Sequence, residues 1–397
     1  MKLHKIPLLA KIAFAIVIGV IIGNYCPLWV ARIVATFNDI FSQFLGFMIP
    51  LIIIGFVTPA ISDIGSKAGK LLAVTAIMAY DATFVSGLLS YFTGVLTFPE
   101  LIPSQMEMTS LDGNTEVIPY FSISMPPLMA VTTSLVLSFI IGLSTSFING
   151  DSIKKLCNEF RDIVSLTINA IIIPFLPIYI FGIFLNMTVV GQVGLILECF
   201  FKIILVIFAL HIFILVLQYC IAACFVKQNP FKMLRTMLPA YFTALGTQSS
   251  AATIPVTLRQ TIKMNVNKDI AGFVIPLCAT IHMSGSTLKI VACALALLIM
   301  HGEPYQLGTF IHFIGMLGIT IIAAPGIPGG AIMASLGLLE SILGFNETMT
   351  ALMIALYIAM DSFGTACNVT GDGALAAIIG KIFKKRTLKP VKNIHSY

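Results

Sequence analysis

Apolar residues run along this chain in long blocks, not in the alternation of a half-buried strand or the single stripe of a soluble amphipathic helix. The blocks fall near 8–25, 30–60, 69–97, 125–148, 160–187 and 193–226. About 20 apolar residues are needed to cross a bilayer, so these six predict membrane helices joined by short polar loops. The loops alternate in character. Lys67 and Lys70 lie between the second and third blocks, and Lys154, Lys155 and Arg161 between the fourth and fifth. Lys227, Lys232 and Arg235 follow the sixth. Loop 98–124 carries Glu100, Glu107, Asp112 and Glu116 without Lys or Arg, and 188–192 carries no charge. The positive-inside rule then predicts cytoplasmic termini and an external 98–124 loop. The basic tail (Lys381, Lys384, Lys385, Arg386, Lys389) agrees with an even number of crossings.

Composition sharpens this picture. Of 397 residues, 58% are apolar and 10% charged, whereas a soluble domain carries about 25% charged residues. Mean hydropathy is +1.00. The length accommodates roughly eight to ten crossings, which excludes a soluble enzyme and a secreted disulfide scaffold. The net charge of +6 sits in the basic loops and gives no nucleic-acid signal. The eight cysteines are scattered through apolar runs without a CxxC pair, as expected of packing residues. The first apolar run, Ile12–Ile22, follows Lys2, Lys5 and Lys11 without a small-residue cleavage site, so it is expected to be retained as a span.

After residue 230 the pattern changes. Apolar stretches are cut by small and helix-breaking residues at Gly246–Pro255, Pro276–Thr287, Pro325–Gly330 and Gly364–Gly373. A broken helix in lipid leaves backbone groups unpaired, at several kcal/mol each, unless protein, water or a ligand satisfies them. Freed N–H groups attract carboxylates and freed carbonyls attract cations. The arrangement repeats: a Ser/Pro break and an interrupted helix, then a Gly/Pro break and a second interrupted helix, placed at Asp361–Asp372. Two hairpins entering from opposite sides, each followed by a broken span, would make an inverted repeat with its site near the midplane.

Four stretches, Gln248–Pro255, Cys278–Ser286, Gly326–Gly330 and Asp361–Asp372, together resemble the dicarboxylate/amino acid:cation symporters, the glutamate-transporter family. The Asp-Ser-x-x-Thr-Ala-x-Asn run and the short Gly-Ile-Pro-Gly-Gly turn are most similar to the bacterial serine/threonine:sodium symporters. The resemblance implies an all-α membrane protein of eight transmembrane helices and two re-entrant hairpins, assembled as a homotrimer in the inner cell membrane. An elevator mechanism would move a transport domain (69–97 and 193–383) against a scaffold (1–68 and 125–192), with 98–124 outside and 384–397 a cytoplasmic tail.

The resemblance also implies site residues. Asp361 would bind the substrate α-ammonium, with Thr365 and Asn368 on the same helical face. Ser249, Ser250 and Ser286, with backbone at Gly326 and Ile327, would complete the substrate site. Acidic-substrate members pair the substrate side chain with an arginine; this chain has Gly364 at that position and Gln248 where some members carry the arginine on the first hairpin. A neutral amino acid is therefore expected. Asp372 would bind sodium with carbonyls of Cys278, His282 and Asn368, and Thr280 and Met283 would contribute to a second sodium.

The chain departs from the family at His282-Met-Ser-Gly-Ser286, where the family has Asn-Met-Asp-Gly-Thr. A cation-binding carboxylate has become Ser284. Lys289 stands three residues further on in an apolar span, and Asp81 lies in the third span. These two, with His282, are candidates for replacing a sodium site by an ion pair or a proton-titrating group, and a static salt bridge between Asp81 and Lys289 is an equal reading. Glu198 and Lys202 are spaced to pair on the sixth span. His301 and Glu303 read as loop residues, and His211, His312 and Glu340 carry no assigned role. No resident cofactor is expected. The alternatives are a proton-coupled or uncoupled carrier of a small organic acid or dicarboxylate using Lys289 or His282, and a channel or sensor on the same fold. No HExxH, GxSxG or paired acid/base constellation supports an intramembrane enzyme.

Overall fold

The computed structural model describes residues 8–66, 69–102, 117–148, 151–191, 193–322 and 329–384, and among these every regular element is helical. The first group comprises α1 (Leu8–Gly23), α2 (Leu28–Ser66), α3 (Lys70–Leu101), α4 (Val131–Phe147), α5 (Asp151–Thr167), α6 (Ile173–Val189) and α7 (Val193–Val226). A π-helical turn, Ile168–Ile172, joins α5 to α6 just ahead of Pro174, whose ring cannot complete a regular ladder. The predicted 160–187 span thus begins earlier, at Asp151. The added turns are amphipathic and expose Lys155 and Glu159, and this polarity hid the helix from a reading based on apolar blocks.

The broken half follows as α8 (Pro230–Thr247), α9 (Ser250–Lys263), α10 (Lys268–Ile281), α11 (Ser284–Met300), α12 (Leu307–Ile322), α13 (Gly330–Leu343), α14 (Glu347–Ala359) and α15 (Asp361–Lys384). Side-chain caps begin several of these. Asn229 accepts the Lys232 N–H at α8, Asn267 serves α10, and Asn346 accepts the Met349 N–H at α14. Among the described residues, five helical stretches are long and apolar enough to cross a membrane, with α14 and α15 as a sixth if that pair, bent by 60°, is one span. The helices α1, α12 and α13, and the apolar part of α4, are shorter.

One expected break is displaced. The interruption placed within Gly364–Gly373 lies upstream at Met360, and α15 continues unbroken through Gly364, Gly371 and Gly373. Those glycines permit close approach. A Cβ at Gly371 would meet Gln218 Oε1 at 2.5 Å and His282 Cε1 at 2.7 Å, and one at Gly373 would meet the Tyr219 hydroxyl at 2.8 Å. Intra-helical hydrogen bonding is kept while the flanking helices press in.

Helices α1, α2, α4, α5 and α6 pack on one another, and α3, α7, α8, α9, α10, α11 and α15 form a second packed set. Helices α12, α13 and α14 touch both. At the centre of the second set lies α11, every residue of which is buried. Small residues (Ala292, Cys293, Ala294, Ala296) let α3, α7, α14 and α15 surround it closely.

Candidate functional site

The site is organised by the two interrupted helices. Met360 ends α14 and Asp361 opens α15, so the Asp361 carboxylate stands at a helix N-terminus, where the backbone dipole favours negative charge. The residue is 5% exposed. Lys289 Nζ donates to Oδ1 at 2.7 Å, and the Gly329 N–H donates to Oδ2 at 2.8 Å. The ammonium also lies 3.5 Å above the centre of the Tyr357 ring, a cation–π contact in a fully buried setting. Gly364 makes this placement possible. A Cβ there would meet Lys289 Cε and Nζ at 2.9 Å.

Both inter-helix turns reach the same point. Gly329, with φ +76°, precedes α13 and supplies the N–H to Asp361. On the other side, α8 ends in Gln248, with φ +53°, and Ser249 caps α9 through the Ala252 N–H. Gln248 Nε2 donates to the Ser362 hydroxyl at 2.8 Å, tying this turn to the first turn of α15. Ser250 is buried beside it. Gly326 and Ile327, expected to contact substrate, lie outside the described residues.

One turn along α15 from the buried Thr365, Asn368 completes the α10–α11 break. Its Oδ1 accepts the N–H groups of Gly285 and Ser286 at 2.8 and 3.3 Å, and its Nδ2 donates to Ser286 Oγ at 2.9 Å. The side chain therefore satisfies amides that the start of α11 would leave unpaired. The Gly285 carbonyl accepts from His211 Nε2 at 3.1 Å, while His211 Nδ1 is buried without a hydrogen-bond partner among the described residues.

A second acid–base pair lies deeper. His282 Nδ1 donates to Asp372 Oδ1 at 2.9 Å, both groups being buried. Gln218 Nε2 donates to Ser284 Oγ at 3.1 Å and faces His282 Nε2 at 3.5 Å. The Tyr219 hydroxyl donates to the Thr370 carbonyl at 2.7 Å. Of the expected sodium ligands, Cys278, His282, Met283, Asn368 and Asp372 are buried around this break. The Cys278 carbonyl accepts the His282 N–H at 2.8 Å, and Met283 Sδ faces Asn368 Nδ2 at 3.4 Å. Thr280 is exposed, and its hydroxyl donates to Leu277 of its own helix.

The expected Asp81–Lys289 pair is not formed. The face of α3 that meets α11 carries Thr83, Ser86, Gly87 and Ser90, with Ser90 Oγ donating to the Leu288 carbonyl at 2.6 Å and Thr83 accepting the Met283 N–H. Asp81 is exposed, on the strip of α3 that also exposes Ile77 and Val85. The lysine turns the other way, into the gap left by Gly364. Glu198 and Lys202 do pair, at 2.8 Å, on the surface of α7.

Three contributors escaped the sequence reading. Tyr357 was one more aromatic in an apolar run, and the break at Met360 removes the helical spacing that could have related it to Asp361. His211 and Gln218 are seven residues apart on α7, a spacing that puts two polar groups on one face of an otherwise apolar helix.

Helices long and apolar enough to cross a membrane, gathered around broken helix ends and buried, paired charges, are the features of a multi-pass membrane protein. The model of the sodium:dicarboxylate symporter family matches residues 8–382, and the chain belongs to that family. Membership implies sodium-coupled symport of dicarboxylates or amino acids and a transport protein, not an enzyme.

Proposed function

We propose that this chain brings a small neutral amino acid of the serine or threonine type into the cell together with sodium. The observation that carries the reading is the convergence on Asp361. Its carboxylate takes the Gly329 N–H from one turn, and its neighbour Ser362 takes Gln248 from the other. An α-ammonium at Asp361 would thus be enclosed by both turns, with Ser249, Ser250, Ser286, Thr365 and Asn368 as neutral partners for the rest of the substrate. Charge balance selects the class. Asp361 and Lys289 sum to zero, so a zwitterion adds no net charge to a dry site, whereas a dianion adds two negative charges that Gly364 cannot pair.

Sodium would bind at Asp372 with the carbonyls of Cys278, His282 and Asn368, and there it would compete with the His282 N–H for Oδ1. The set α3 with α7–α15 would be the moving domain of an elevator, and α1, α2, α4, α5 and α6 the scaffold of a trimer in the cell membrane, with both termini cytoplasmic. A second reading is favoured by the Lys289 ammonium beside Gly364: a proton-coupled or uncoupled carrier whose organic-acid substrate pairs with Lys289, and in which His282 replaces the cation at Asp372.

Uptake into proteoliposomes, with sodium and pH gradients imposed separately, tests both. Sodium-driven accumulation of serine or threonine, with no uptake of succinate, is the expected outcome. Accumulation of succinate or another organic acid without sodium would replace the first reading by the second.

A further inference from the structure

A carrier passes through its cycle both loaded and empty, and the empty state poses a distinct electrostatic problem. Once the substrate ammonium leaves, the carboxylate that held it stays buried, and a lone buried charge is costly to move through a bilayer. The carboxylate can be neutralised by a cation from solution or by one the protein carries. Here the protein carries it: Lys289 is 0% exposed, bonds Asp361 at 2.7 Å, and has no other acid as its salt-bridge partner among the described residues. The Tyr357 ring lies against it, and the thiols of Cys293 and Cys367 and the His211 ring are within electrostatic reach.

We propose that Lys289 is a tethered surrogate for the substrate ammonium: it neutralises Asp361 in the empty carrier and so permits return without substrate. The inference rests on the reading of Asp361 as the ammonium site. In the loaded state the substrate ammonium takes Asp361. Lys289 keeps its seat over the Tyr357 ring and gains the substrate carboxylate as a new partner. The Asp361–Lys289 pair then has zero net charge both with and without a zwitterion, so this part of the site leaves no ion unpaired in either half of the cycle. The protein therefore performs net transport and is not restricted to exchanging one substrate molecule for another. Gly364 is part of the device, because the ammonium occupies the space its missing side chain leaves.

The test is efflux of radiolabelled L-serine and L-threonine from proteoliposomes of the full-length protein. Release into substrate-free buffer requires empty return, whereas release into buffer with the unlabelled amino acid does not. The wild-type protein should show the two rates within about threefold of each other. Lys289→Met removes a contact to the loaded substrate as well, so exchange should fall, and net efflux should fall at least about tenfold further than exchange. Equal loss of both rates, or net efflux unchanged in Lys289→Met, overturns the proposal. If Lys289→Met does not fold, Lys289→Gln is read in the same way, and in the wild-type protein fast exchange with negligible net efflux overturns the proposal. Failure of wild-type exchange for both amino acids removes the reading of Asp361 itself, and this inference with it.

Discussion

Two buried acid–base pairs join the broken helix α10–α11 to α15, and they are built differently. Lys289–Asp361 sits where α15 begins, and its carboxylate also binds the Gly329 N–H of an inter-helix turn. His282–Asp372 sits three turns further along α15, enclosed by Gln218, Ser284 and Tyr219. The first pair combines a lysine ammonium with an acid that faces the turns. The second combines an imidazole, whose charge is optional, with an acid remote from them. A lysine–carboxylate pair at the turns suits recognition of a charged substrate group, and an imidazole–carboxylate pair away from them suits exchange with a small cation. The largest expected effect therefore lies at the first pair. Asp361→Asn should lower uptake by roughly 100-fold, the loss of one charged hydrogen bond at the upper end of its range. It should also destabilise the protein by about 3–5 kcal/mol, because Lys289 is left buried without an anion. Asp361→Asn with Lys289→Met should recover most of the thermal stability and none of the uptake. Equal melting temperatures for the single and double variants would show that the pair does not contribute to stability in this way.

The second pair predicts a change of dependence more than of rate. His282→Asn removes the N–H that occupies Asp372 Oδ1. If sodium competes for that oxygen, the sodium concentration for half-maximal uptake should fall by about 3- to 10-fold, the equivalent of one hydrogen bond. If instead the imidazole serves in place of the cation, uptake should drop and acquire a sodium requirement. Titrating uptake with sodium at constant ionic strength separates these outcomes.

Much of this architecture was legible before the fold was seen, for identifiable reasons. Apolar block length placed α1, α2, α3, α4 and α7, and the Gly/Ser/Pro clusters located the turns at Gln248–Ser249 and ahead of Gly330, because in lipid such residues are tolerated only with a compensating use. The same logic misread α15. Glycine there accommodates neighbours without breaking the helix, and local sequence does not separate these two uses. The amphipathic start of α5 was hidden because hydropathy registers apolar length and not periodicity. Lys289 was singled out by cost alone, a lysine in an apolar span, but its partner was assigned wrongly. Both Asp81 and Asp361 were available in sequence, and only the packing of α3 turns Asp81 outward. Tyr357 left no signal, since a tyrosine in an apolar run is ordinarily core.

A smaller effect is expected where the turn after α8 meets α15. Gln248→Ala deletes the bond to Ser362 but no charge. A neutral hydrogen bond is worth about 1 kcal/mol, so the substrate KM should rise roughly fivefold with little change in the maximal rate. Ser362→Ala should do the same, and the double variant should add nothing further, because both remove one bond. Additive losses would mean that Gln248 and Ser362 contact the substrate separately.

The smallest effect belongs to Asp81, and it bounds the comparison from outside. The α3 face that bears on α11 is lined by Thr83, Ser86 and Ser90, and Asp81 lies off it among exposed apolar side chains. A carboxylate there reaches neither acid–base pair, so Asp81→Asn should change uptake and its sodium dependence by less than about twofold, within the usual range for surface substitutions. The prediction is informative because the residue is costly where it stands: a charge in a helix long and apolar enough to span a membrane normally marks a function. A large loss of maximal rate with unchanged KM would assign that function to the exposed strip of α3 around Ile77, Asp81 and Val85, as a surface that moves against another part of the assembly. An altered KM would instead require Asp81 to communicate with the site through α3, and the division between two self-contained acid–base pairs and an inert exterior would not hold.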